Sequence, residues 1–144
     1  MDLKKITYQQ FKSIANEKYN SINIHFAFNE EQYKNILEKL EVKKGEESDK
    51  ICKVGGGIML KTEVHLLGEY YKWFNEQVDS LMKIDSYVYQ MFYYEFSNHE
   101  AQISGDYEEV AKEFVSDLED PRINKIYQKA KTNHWLFCIK NDQF

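Results

Sequence analysis

The chain has 144 residues, 42% of them hydrophobic, and a formal net charge of -5 from 24 acidic and 19 basic side chains. That length suits one domain that buries a core without metal or disulfide staples. Charges of both signs are interspersed, which argues against a nucleic-acid-binding surface, and they are too sparse to imitate phosphate spacing except as a local patch.

Thr7 can cap a first helix running to about Tyr19, with Tyr8, Phe11, Ile14 and Ala15 on one side. Ser21 to Phe28 alternates, with Ile22, Ile24, Phe26 and Phe28 on one face, and predicts a half-buried strand with His25 turned away from the core. Asn29 and Gln32 resemble a capping box, and Tyr33, Ile36, Leu37 and Leu40 follow at helical spacing. Glu41 to Lys50 is charged and without period, hence a loop. Ile51 to Val54 and Ile58 to Lys61 flank Gly55, Gly56 and Gly57, a pattern for two strands joined or bent at glycines. Such a turn can aim backbone N–H groups at a phosphate, but no Gly-Lys-Ser/Thr follows, so a turn or bulge is the preferred reading.

Thr62 can cap a long helix to about Met82 that buries Leu66, Leu67, Tyr70, Phe74, Val78, Leu81 and Met82 and leaves Tyr71 and Trp73 partly exposed. The stretch from Asp85 to Ala101 is the expected central helix. On a 100° wheel Met91, Glu95, Val88, His99 and Phe92 share one arc, while Gln90, Ser97, Tyr94 and Tyr87 share the opposite one. Gly105 breaks the chain. Asp106 with Glu109 caps a helix whose inner face is Val110, Ala111, Phe114, Val115 and Leu118, and Asp120 with Pro121 opens a last helix carrying Ile123, Ile126, Tyr127 and Ala130. Trp135 to Ile139 reads as a terminal strand or packed tail. With no linker, the expected architecture is one domain over residues 1–144, α+β and mostly helical, with a small antiparallel sheet.

Met1 is followed by a charged, helix-like opening, and no apolar run reaches membrane-spanning length, so an intracellular, cytoplasmic protein is expected. Cys52 and Cys138 each lie in an apolar run and are expected to be reduced and buried. The histidines His25, His65, His99 and His134 match no metal-ligand spacing, and no cofactor is expected. Glu95 and His99 sit side by side on an apolar arc, where they either satisfy one another inside the helical layer or, with Asn98, serve as carboxylate and general base. A His134 and Cys138 thiol pair rests on sequence proximity alone.

Phe26 to Tyr33, the glycines with the apolar residues after them, and Tyr94-Glu95-Phe96-Ser97-Asn98-His99-Glu100 together resemble an uncharacterised family of small phage and bacterial proteins. The resemblance runs from Phe26 to about Ala130 and departs at Phe96 and Ser97, where Leu and Ala would be expected. It implies the family's fold and a phage or mobile-element setting, and it supplies no catalytic residues. By analogy of setting, the expected function is non-enzymatic. The chain would bind a host defence protein or ribonucleoprotein and inhibit it, in anti-CRISPR or other anti-defence fashion. The expected anchors are Tyr71, Trp73, Tyr87 and Tyr94, aromatics that the helical pattern leaves exposed and whose rigid rings supply contact area at low entropic cost, with no direct nucleic-acid binding and no membrane expected. The alternative is a small-molecule or nucleotide-binding protein or hydrolase, with a pocket joining Gly55, Gly56 and Gly57 to Glu95, Asn98 and His99.

Overall fold

A computed structural model describes residues 5–144, and the charged opening after Met1 lies outside them. The protein is mostly helical α+β, with a single two-stranded antiparallel sheet among the described residues. No helix among them is long and apolar enough to cross a membrane. Two compact units are distinguished among the described residues, one of residues 13–76 and one of residues 5–12 with 77–144. Helices α1 (Tyr8–Asn20) and α4 (Val64–Leu81) each supply residues to both.

In the 13–76 unit the end of α1 is followed by α2 (Glu30–Lys39), a single turn α3 (Glu47–Lys50), strands β1 (Ile51–Val54) and β2 (Gly57–Leu60), and then α4. Asn29 Oδ1 accepts from the Gln32 N–H at 2.8 Å, while Gln32 Oε1 accepts from the Phe28 N–H, so the box closes one residue earlier than the usual form. The hairpin pairs Val54 with Gly57, leaving Gly55 and Gly56 as a two-residue turn at φ 56° and 81°. Two successive positive φ values are the reason for two successive glycines. Gly57 serves differently, since a Cβ there would meet Ile24 Cγ1 at 2.7 Å. Both faces of β2 are covered. Ile58 joins Ile36, Leu37, Leu40, Val42 and Ile51, whereas Met59 joins Ile22, Leu67 and Tyr70.

The strand expected from Ser21 to Phe28 is reduced to a single bridge, in which His25 and Ile58 exchange N–H···O bonds of 3.0 and 2.7 Å. Ile22 is buried as expected, but Phe28 is 88% exposed because its N–H belongs to the α2 cap rather than to a ladder. Within the expected loop from Glu41 to Lys50, α3 forms one helical turn.

The second unit is built on α5 (Asp85–Asn98), with α6 (Ala101–Ser104), α7 (Tyr107–Lys112) and α8 (Pro121–Lys140). Of the expected arc Val88, Met91, Phe92 and Glu95 are buried and His99 is half-exposed; Phe96 is buried as well, and the Phe92 and Phe96 rings meet Tyr127 of α8 at 5.8 and 6.0 Å. The Asp106 and Asp120 caps accept from the N–H groups of Glu109 and Ile123. Helix α7 stops at Lys112, short of the face expected to reach Leu118. Trp135 to Ile139 is not a strand. The buried stripe Tyr127, Ala130, His134 and Cys138 carries α8 on to Lys140, so packing at helical spacing overrides the strand preference of the aromatic run.

Candidate functional site

Helical spacing from Met91 and Phe92 places Glu95 inside the core, with a side chain only 3% exposed. Burying a carboxylate there requires partners. Lys12 Nζ lies 3.0 Å from Oε1, the Tyr8 hydroxyl donates to the same oxygen at 3.2 Å, and His99 Nε2 stands 3.5 Å from Oε2. Burial, reinforced by the Glu95 charge, raises the Tyr8 hydroxyl well above the ordinary tyrosine range, which keeps it a donor. The Lys12 ammonium also lies over the Tyr8 and Tyr94 rings, at 5.4 and 5.0 Å from their centroids. Both carboxylate oxygens are therefore engaged. His99 is half-exposed and 3.9 Å from Glu113, and Asn98 is exposed beside it.

Gly55 and Gly56 form the hairpin turn and Gly57 begins β2 in the 13–76 unit, while Glu95, Asn98 and His99 stand at the C-terminal end of α5 in the other unit. The cavity beside Gly56, about 430 Å³, is lined by residues of the 13–76 unit, among them Phe28, Tyr33 and Lys53. Among the described residues no group of three or more His, Cys, Asp and Glu side chains could hold a metal ion.

A second polar cluster brings Tyr107 and Ser97, which no sequence expectation had joined to it, onto His134 beside Cys138. His134, 1% exposed, places Nδ1 2.8 Å from the Tyr107 hydroxyl and Nε2 3.1 Å from Ser97 Oγ. Ser97 Oγ donates onward to the Tyr93 carbonyl at 3.3 Å, so it accepts from a protonated Nε2, and Tyr107 donates to Nδ1. Burial lowers the His134 pKa, pushes Tyr107 up to about 12 and raises the Cys138 thiol. Cys138 Sγ is 3.7 and 3.8 Å from the two ring nitrogens, but the shifts favour neutral thiol and neutral imidazole. That is the reverse of an activated nucleophile. The signal available in the sequence was the position of His134, four residues after Ala130 and four before Cys138 on one stripe. Its partners Tyr107 and Ser97 are remote in sequence and gave no sign.

The four expected anchors separate. Tyr71 is exposed on α4, its ring edge against Tyr70. Trp73 is half-buried beneath the Lys18 ammonium, 4.7 Å from its centroid, and Tyr94 is half-buried beside Tyr8. Tyr87 is corrected. It is 3% exposed, with its ring 5.5 Å from Tyr8 and 6.4 Å from Phe11, because the N-terminal part of α1 covers the arc of α5 on which it lies. What the sequence reading missed is the end of α8, where Trp135, Leu136, Phe137 and Ile139, with Phe144 beyond, are each between 40% and 60% exposed. Trp135 and Phe144 pack edge to face at 5.1 Å. Reading this segment as a terminal strand or packed tail hid the face that a helix gives it.

No curated protein and no solved structure matches the chain. The model of a family of unknown function, DUF7659, matches residues 7–133, from the cap of α1 into α8, and the chain belongs to that family.

Proposed function

We propose that the protein is a non-enzymatic binding protein, a phage-type accessory factor that occupies and inhibits a host defence protein or ribonucleoprotein in the host cytoplasm. The observation that carries this reading is the apolar outer face at the end of α8. Trp135 and Ile139 are one turn apart and Leu136 is next to them on the wheel, all turned away from the buried stripe. Contiguous exposed apolar area of this kind marks interaction surfaces, and rigid aromatic and branched side chains are effective anchors. Engagement of both Glu95 oxygens inside the fold supports the same reading, since Lys12, Tyr8 and His99 already occupy the carboxylate that a hydrolase would have used. The anti-defence setting rests on the resemblance to small phage proteins.

The test is phage plating on bacteria that carry defined defence systems, with wild type against the double variant Leu136→Asp, Ile139→Asp. Wild type is expected to restore plating by about tenfold or more against one system, and the variant to lose that effect with unchanged melting. No effect of well-expressed wild type across the panel would overturn the reading, and a fully active variant would remove α8 from it.

A further inference from the structure

The acidity of the whole chain is unevenly distributed. Between Pro121 and Lys140, α8 carries five basic residues, Arg122, Lys125, Lys129, Lys131 and Lys140, and no acidic one. Arg122, Lys125 and Lys129 recur at helical spacing and line a groove of about 880 Å³ between α8 and α5. Asp85, Ser86, Tyr89 and Gln90 form its α5 wall, and Tyr89 and Gln90 also line a neighbouring groove of about 470 Å³ together with Tyr8, Tyr93 and Tyr94. The two grooves thus make one track along α5, basic at one end and tyrosine-lined at the other.

The rings in this track are held in place. Asn133 Nδ2 donates to the Tyr89 hydroxyl at 2.9 Å, and the Tyr89 and Tyr93 rings lie 6.0 Å apart at 30°. Lys129 Nζ stands 5.9 Å from the Tyr89 centroid, so an ammonium and an aromatic face are presented together. Arg122 has a different task, since it pairs with Asp85 at 2.6 Å and donates to the Met82 carbonyl at 2.8 Å. Lys125 and Lys129 are left as the groove's cations for a ligand.

We propose that this track binds single-stranded nucleic acid, with bases stacked on Tyr89 and Tyr93 and phosphates beside Lys125 and Lys129. The chemistry selects this occupant. Flat rings next to ammonium groups complement a chain that alternates bases with anions, whereas a proline-rich segment would use the tyrosines and leave the lysines idle. A duplex turns its base faces inward and cannot stack on them. From Asp85 to Ser97 the helix runs about 18 Å, the length of a few nucleotides. The site is separate from the apolar end of α8, and either assignment can fail alone.

The experiment is fluorescence anisotropy with a labelled single strand of about ten thymidines or uridines at low salt. Saturable binding is expected, weakened about tenfold or more by Lys125→Glu, Lys129→Glu and by Tyr89→Ala, and retained in Tyr89→Phe. Added salt should weaken wild type more steeply than the lysine variant. The control Lys34→Glu, Lys39→Glu changes charge equally on exposed positions of α2 and should bind as wild type does. Melting curves accompany each variant, and the exposed lysine pair decides the matter if Tyr89→Ala unfolds. No saturable binding to about 100 μM would overturn the proposal. So would a control as weak as the groove variant, a duplex bound as tightly as the single strand, or displacement of the strand by a proline-rich peptide.

Discussion

Lys12 Nζ lies 3.0 Å from Glu95 Oε1 and joins α1 to the last turn of α5 through a buried carboxylate. The two partners are unequal, since the Lys12 side chain is 39% exposed and that of Glu95 is 3% exposed. Removing Lys12 leaves a buried carboxylate short of its cation, whereas neutralising Glu95 frees an ammonium that can turn to solvent. Lys12→Met is therefore expected to cost about 2–3 kcal/mol and Glu95→Gln about 1 kcal/mol in urea unfolding. His99→Ala should cost about 1 kcal/mol, because His99 is half-exposed and its contact with Oε2 is the longer one. A larger loss from Glu95→Gln than from Lys12→Met would show that Lys12 is not the principal partner.

Stability should fall at both ends of the pH range, for opposite reasons. Burial lowers His134, so as pH drops below about 6.5 the unfolded chain takes up a proton that the fold still excludes. Its contribution is complete above that value and declines below it, by at most about 1.4 kcal/mol per pH unit, until the folded value is passed. At the alkaline end Tyr87 and Tyr107, both pushed up to about 12, keep protons that the unfolded chain begins to lose near 10. The raised Cys138 thiol adds to this from about 9. Melting temperature measured from pH 5 to 11 should show both declines. In His134→Gln the acid limb should be shallower than in wild type, and identical acid limbs would exclude His134 as its source.

What was legible in the sequence was local. The wheel of α5 located its buried arc, and Thr7, Asn29, Asp106 and Asp120 all cap as their spacing suggested, because caps and amphipathic stripes are decided within a few residues. The glycines were read correctly as a turn for the same reason. Partners remote in sequence were not legible. Glu95 was expected to lean on His99, yet its closest partner is Lys12, 83 residues away, and the bonds of His134 reach back to Ser97 and Tyr107. Tyr87 was placed outside because one helix wheel does not show that a second helix covers its flank. At Trp135 to Ile139 the strand preference of the side chains conflicted with a stripe begun at Tyr127, and the stripe prevailed.

The hairpin separates two costs that a glycine can carry. Gly56 has φ 81° with open space around its Cα, so Gly56→Ala strains the backbone alone and should cost about 1 kcal/mol. Gly57 has ordinary φ but would drive a Cβ to 2.7 Å from Ile24 Cγ1, an overpacking that should cost about 1–3 kcal/mol. Adding Ile24→Ala removes the obstructing atom and should recover part of the loss in Gly57→Ala and none in Gly56→Ala. Urea midpoints of the four proteins decide this, and equal recovery in both would refute the distinction.

The aromatic residues divide into those that hold the fold and those available to a partner, and truncation should distinguish them. Tyr87 is buried against Tyr8 and Phe11, so Tyr87→Ala should lower stability by about 3 kcal/mol whatever it does to binding. Trp73 lies beneath Lys18 and beside Tyr70, and Trp73→Ala should likewise register first in melting. Leu136 and Ile139 are exposed on α8, so their replacement by Ala should leave melting within about 0.5 kcal/mol of wild type. If they anchor a protein partner, each should weaken its binding by about 2 kcal/mol. Because the contact is apolar, that affinity should change little between low and physiological salt, whereas strand binding at Lys125 and Lys129 should fall steeply. Calorimetry of partner binding at two salt concentrations is the measurement. A steep salt dependence together with unchanged affinity in Leu136→Ala and Ile139→Ala would move the partner's contact away from the apolar end of α8 and onto charged residues.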